Sequence, residues 1–163
     1  MKINILWTSG IELESAYEAD GVSDFGIYQV YGAHPVYGNH VLLYIGRSRC
    51  QTFGGRFLRH EKWPLNQDSK NVKVYFGRLA SEHEVTNSDW DNMIDIAEKL
   101  LIFAHQPACN SSNINSAGEE IPKEAHVLNW GDRGLLLPEV SANRFNAGDG
   151  YNLPLGFEVI EDN

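Results

Sequence analysis

The chain has 163 residues, 42% of them hydrophobic and 21% charged, which is enough for one substantial buried core and ordinary for a globular protein. Two cysteines without CxxC spacing exclude a disulfide framework, and the six histidines form no zinc-site pattern, so free thiols in a reducing compartment and no structural zinc are expected. There is no signal-peptide-like start and no apolar run of bilayer length, the net charge is -9, and a cytoplasmic protein without a membrane partner is expected.

Lys2 to Trp7 alternates weakly and is read as an edge strand, after which Ser9-Gly10-Ile11-Glu12 has capping-box spacing and predicts a short helix to about Ala19. Phe25 to Tyr31 and His40 to Ile45 are rich in β-branched and aromatic residues and predict two strands. Gly32, Pro35, Gly38 and Asn39 mark the connection between them. Taken alone this is a hairpin whose tyrosines need no function. Thr52 to Trp63 carries Phe53, Arg56, Phe57 and His60 within a helical span that Pro64 ends, and Val72 to Leu79 alternates as a third strand. From Asp89 to His105 the residues Trp90, Met93, Ile94, Ala97, Leu100, Leu101 and Ala104 recur at i, i+3, i+4, i+7. That pattern predicts a long helix packed on the sheet, with Ser88 as N-cap and Pro107 beyond its end. Ser111 to Lys123 is polar and reads as a mobile loop. Leu135 to Val140 and Phe157 to Ile160 read as short strands on either side of the Gly/Asn-rich stretch Asn143 to Asn152. No repeat or domain boundary interrupts the chain, so residues 1–163 are expected to form a single domain, with the tail 111–163 as an elaboration.

The net charge argues against nucleic acid, whose binding depends on Lys and Arg neutralising phosphates, but the charge is unevenly spread. Arg47 to Arg78 holds eight of the thirteen basic residues (Arg47, Arg49, Arg56, Arg59, Lys62, Lys70, Lys73, Arg78) against Glu61 and Asp68. That segment carries +6 and leaves -15 to the rest. It begins directly after the second tyrosine strand, and Arg47, Arg49, Arg59 and Lys62 are its candidate nucleic-acid contacts.

Gly26-Ile27-Tyr28, Tyr44-Ile45-Gly46, Arg56, His60, Glu98 and Asn110, in this order, resemble the GIY-YIG nuclease family, named for its two strand motifs. The resemblance covers about Phe25 to Asn110. Arg56 and His60 have the family's Arg-x-x-x-His spacing, one helical turn apart on one face. Glu98 follows on the long helix, and Pro107 with Asn110 matches a Pro-x-x-Asn after it. Each piece also has a plain structural reading: His60 as a helix-surface residue, Asn110 as a helix-terminus or turn residue, Glu98 as a solvated glutamate at the edge of the apolar stripe. The links from Gly32 to Asn39 and from Gly46 to Arg56 are somewhat long for the family.

The resemblance implies an α/β (α+β) fold with a small central antiparallel sheet flanked by helices, extended by N- and C-terminal elaborations. It implies a metal-dependent endonuclease that hydrolyses phosphodiester bonds in DNA and leaves 5'-phosphate ends. Tyr28 would be the general base or its close partner, its pKa depressed by nearby cations, and Tyr44 would hydrogen-bond the phosphate or the attacking water. Arg56 would grip the scissile phosphate, and His60 would assist Tyr28 or contact the phosphate. Glu98 would hold one Mg2+ or Mn2+, and Asn110 would position the backbone or the substrate beside it. Two other readings fit the same residues. One is a module of this fold that binds nucleic acid or another partner without cleaving. The other is an RNA-directed nuclease, in which Tyr31, Tyr37, Phe53, Phe57 and Trp63 stack on unpaired bases.

Overall fold

The computed structural model describes residues 1–59 and 71–145. His60, Lys62, Trp63, Lys70, the last part of the helix expected to reach Trp63, and the strand expected at Phe157 to Ile160 lie outside the described residues. The fold is α+β, with a mixed sheet and four helices among the described residues.

The chain enters as β1 (Lys2–Trp7), whose Ile3, Ile5 and Trp7 point to one side and are buried. After Ser9 and Gly10 it continues as β2 (Ile11–Glu12) and turns into the short helix α1 (Leu13–Ala16). Next come β3 (Gly26–His34), β4 (Gly38–Ser48), helix α2 (Phe53–Arg59) and β5 (Lys73–Ala80). The 19-residue helix α3 (Asn87–His105) precedes β6 (His126–Gly131), β7 (Glu139–Ser141) and α4 (Ala142–Phe145). The strands form one sheet in the order β4-β3-β5-β1-β6-β7, with β2 also on β5. All pairings are antiparallel except β1 with β6.

Several expectations change on this frame. The small antiparallel sheet is only the β4-β3-β5 portion of a larger mixed one. Lys2 to Trp7 is interior, hydrogen-bonded to β5 on one side and β6 on the other. Ser9 to Glu12 forms no capping box: Ile11 and Glu12 pair with Val74 and Lys73, a Cβ on Gly10 would lie 2.6 Å from the Tyr75 ring, and Glu12 opens α1 without a side-chain cap bond, so the expected helix is shortened to Leu13–Ala16. The link between the tyrosine strands shrinks to a three-residue turn, because both strands run on until His34 faces Gly38. His34 Nδ1 there accepts the Val36 and Tyr37 N–H groups, each at 3.2 Å.

Helix α3 is capped two residues before the expected position. Thr86 Oγ1, not Ser88, accepts the Asp89 N–H at 3.1 Å, and Gln106 closes the other end in the left-handed region at φ 49°. The polar stretch 111–123 has no regular structure but is tied to the body. Ala117 and Ile121 are buried, and Gln106 Nε2 donates to Ile114 O at 2.7 Å.

Two clusters share the sheet. On one face Ile27, Tyr31 and Ile45 pack with Ile94, Ala97 and Leu101 of α3. On the other Tyr28, Val30 and Phe76 pack with Phe53 and Phe57 of α2 and Leu13 of α1. No helix among the described residues is long and apolar enough to cross a membrane.

Candidate functional site

The register of β3 and β4 sets Tyr28 opposite Gly46 and Val30 opposite Tyr44. Strand alternation then turns Tyr28, Tyr44 and Gly46 toward α2, and Ile27 and Ile45 toward α3. A Cβ on Gly46 would stand 2.5 Å from the Tyr44 ring and 2.6 Å from Tyr28 Oη, so only glycine leaves room for both phenols. Their rings stack at 6.1 Å and 28°. Gly26, at φ 147°, would bring a Cβ within 2.2 Å of Gly77 O, and glycine there lets β3 start hard against β5. Each letter of the paired Gly-Ile-Tyr and Tyr-Ile-Gly motifs thus has a packing reason.

Because β4 is an edge strand, α2 on one face and α3 on the other both reach over its outer edge. Tyr44, Arg56, Glu98 and Asn110 come together there around a cleft of about 400 Å³, joined by Arg47, Arg49 and Gln51. Tyr28 is fully buried behind Tyr44 and packs on Phe57 at 4.9 Å. Arg59 is exposed at the end of α2. Of the aromatic residues considered for base stacking, Tyr31, Phe53 and Phe57 are core, while Tyr37 is exposed at the hairpin tip.

Arg56 and the two phenols are placed by local packing. Ser48 Oγ donates to Gln51 O and Thr52 O at 2.6 and 2.9 Å, pinning the turn after β4. Thr52 Oγ1 accepts the Gly55 N–H, and a Cβ on Gly54 would lie 2.5 Å from Tyr17 O, so the glycine pair lets the start of α2 sit against residues 17–20. That seats Arg56 over the tyrosines. Its Nε and Tyr28 Oη are both buried with no hydrogen-bond partner, although the guanidinium is near enough to draw the phenol's pKa down.

That pull does not prevail. Burial, followed by Tyr44, pushes the Tyr28 phenol far above its ordinary value, with Arg56 opposing and Glu98 adding to the rise. Arg56 alone therefore does not hold the phenol down, because desolvation outweighs one arginine. Tyr44 is also raised, by burial and then by Glu98. Burial lifts the Glu98 carboxyl to about 6, against the pull of Arg47, whose Nε is 3.0 Å from Glu98 Oε2.

The basic segment is less free than its sequence suggests. Arg47 binds both Glu98 and Asp95, Arg49 binds Asp91 at 2.8 Å, Lys73 binds Glu12 and Arg78 binds Asp24. Among the described residues Arg56 and Arg59 form no ion pair. The acidic partners Asp91, Asp95 and Glu98 recur at i, i+4, i+7, so a carboxylate stripe along α3 was readable in the sequence. Gln51 carries no such signal. Asn110 uses its amide on the motif strand, accepting the Ile45 N–H at 3.0 Å and donating to Ile45 O at 2.9 Å. It completes the open edge of β4 beside Ala108 and Cys109, whose N–H groups bond Leu42 O and Leu43 O.

No cluster of three or more His, Cys, Asp or Glu ligands occurs among the described residues. Among the described residues Glu98 is the one carboxylate lining the cleft, which suits a hard cation that keeps most of its waters and takes further oxygens from a phosphate. Comparison with protein-family models, curated proteins and solved structures gives no match.

Proposed function

We propose that this chain is a metal-dependent endonuclease that hydrolyses phosphodiester bonds in DNA, with residues 25–110 as a core of the GIY-YIG kind. One observation carries the reading. Arg56 Nε, on the cleft wall, and Tyr28 Oη, behind it and close enough to Arg56 to interact, are buried donors with no hydrogen bond of good geometry, a cost of about 1–3 kcal/mol each that an anionic oxygen bound at Arg56 would help relieve.

Arg56 offers a planar fork of N–H groups to two oxygens of one phosphate. Tyr44 and Tyr28 stay protonated through the neutral range and act as hydrogen-bond donors, to the phosphate or to the attacking water. Glu98, whose carboxyl burial lifts to about 6, would hold the cation, Mg2+ or Mn2+, once ionised. When bound, the cation supplies positive charge to the phosphate oxygens and lowers the pKa of nearby acids. A water oxygen bonds to phosphorus as the bond to the 3' oxygen breaks; the water's proton passes to solvent and the 3' oxygen takes one up from solvent, leaving a 5'-phosphate and a 3'-hydroxyl. His60 and Lys62 keep their proposed roles from the sequence pattern.

A non-cleaving binding module is the second reading. The pairing of Arg47 and Arg49 with α3 carboxylates and the high pKa of Tyr28 favour it. Incubating wild type and Arg56→Lys with plasmid, single-stranded DNA and RNA, in Mg2+ and in chelator, separates the readings. Mg2+-dependent cutting that falls at least ~10²-fold in Arg56→Lys supports the nuclease. Binding without cutting supports the module, and cutting of RNA alone moves the substrate class.

A further inference from the structure

A second cavity, of about 790 Å³, adjoins the cleft. It is lined by Phe25, Trp90, Asn87, Arg78, Cys50 and Gln51. Gln51 lines both cavities, and the Arg49–Asp91 ion pair spans them, with Arg49 on the cleft and Asp91 on the cavity. The two spaces therefore share Gln51 as part of a common wall. We infer that the second cavity takes one unpaired base of the strand whose phosphate sits at Arg56, stacked on Trp90 and Phe25 and hydrogen-bonded by Gln51. This inference rests on the phosphate-binding reading of the cleft.

Three features point to a base. Phe25 and Trp90 meet edge to face at 5.0 Å and 68°, so they present two differently oriented aromatic surfaces, and Phe25 is 37% exposed. Base–aromatic stacking tolerates any sequence, because every base has a π face. Gln51 Oε1 is buried without a hydrogen-bond partner, an acceptor in need of an N–H. Its backbone is pinned by Ser48, so its side chain can turn to a ligand while the turn stays in place. Every base carries an N–H on its pairing edge, and that N–H and a ring face are both available only once the base has left the duplex. The volume lies within the usual range of roughly 300–1,000 Å³ for small-ligand sites. Arg78 is held by Asp24 and lies over the Phe53 ring at 5.7 Å, which leaves it as a fixed wall.

The test compares two labelled probes in chelator by fluorescence anisotropy: a short mixed-sequence single-stranded DNA and the same backbone made wholly abasic. Wild type should prefer the base-bearing strand by ~5- to 100-fold, the range for one stacked base. Trp90→Leu should shrink that preference while leaving abasic affinity unchanged, and Gln51→Ala, whose side chain also lines the cleft, should shrink the ratio of the two affinities. Thermal melting checks that each variant folds, and Gln51→Ala decides alone if Trp90→Leu does not. Equal wild-type affinity for both probes, or a preference unchanged in the folded variants, overturns the base site. If abasic binding then still falls in Arg56→Ala, the phosphate reading survives that failure. Binding of neither probe by wild type overturns both.

Discussion

Replacing Glu98 by Gln should stabilise the protein while removing its capacity to hold a cation. The wild-type carboxyl is lifted from 4.5 to about 6, chiefly by burial, and that net shift already includes the attraction of Arg47. At ~1.36 kcal/mol per unit, ionising Glu98 in the folded state costs ~2 kcal/mol more than in the unfolded chain. A raised pKa contributes stability that is fully present below about 4.5 and lost as pH rises through about 6. Glu98→Gln does not titrate, and Arg47 keeps Asp95 as a partner. The variant should therefore match wild type near pH 4 and exceed it by ~2 kcal/mol near pH 8. Urea unfolding across that range measures the difference, with an unchanged slope expected. Added Mg2+ should stabilise wild type above about pH 6 and leave the variant unmoved, since only the ionised carboxylate binds. A variant that is less stable near pH 8 would show that Glu98 exists for its Arg47 ion pair, and the argument from burial would fail.

Tyr28→Phe deletes a buried hydroxyl with no hydrogen bond of good geometry, so stability by urea unfolding should stay within about 1 kcal/mol of wild type or rise, while cleavage falls ~10²-fold or more, the size of losing one hydrogen-bond donor in the transition state. Wild-type cutting would leave Tyr28 as core only. Gly46→Ala drives a Cβ into both phenols and should destabilise by ~1–3 kcal/mol in the same assay; a neutral result would mean the tyrosine pair yields easily. Arg59→Glu should weaken DNA affinity and flatten its salt dependence more than Arg49→Glu, because Arg49 is already held by Asp91. Equal effects in a salt titration would refute that ranking.

The elements that carry the cleft were largely legible, because their signals are local. Trp90 to Ala104 repeats at helical spacing, and the two tyrosine strands are dense in β-branched and aromatic residues. The misreadings concern long-range pairing. β6 hides its alternation because its buried position Asn129 is polar, satisfied by Trp7 Nε1 at 2.9 Å and by Leu137 O. Without β6, β1 reads as an edge. Ser9-Gly10-Ile11-Glu12 has a good capping pattern that loses to pairing with β5, where tertiary contacts override local propensity. At the site, the motif order anticipated that Tyr44, Arg56, Glu98 and Asn110 lie near one another. It could not anticipate the direction of the Tyr28 shift, because burial depends on Phe53 and Phe57 closing over the ring. The positive charge of Arg47 and Arg49 looked available in sequence because their carboxylate partners lie more than forty residues away on α3.

The most direct measurement is a time course of supercoiled plasmid with purified wild-type protein, in Mg2+ and in chelator, with end analysis of the products. The proposed activity predicts nicked and linear DNA carrying 5'-phosphates in Mg2+, no cutting in chelator, and none by folded Glu98→Gln in either. Intact plasmid in Mg2+ and in Mn2+, from protein that is folded and binds the DNA, would contradict it.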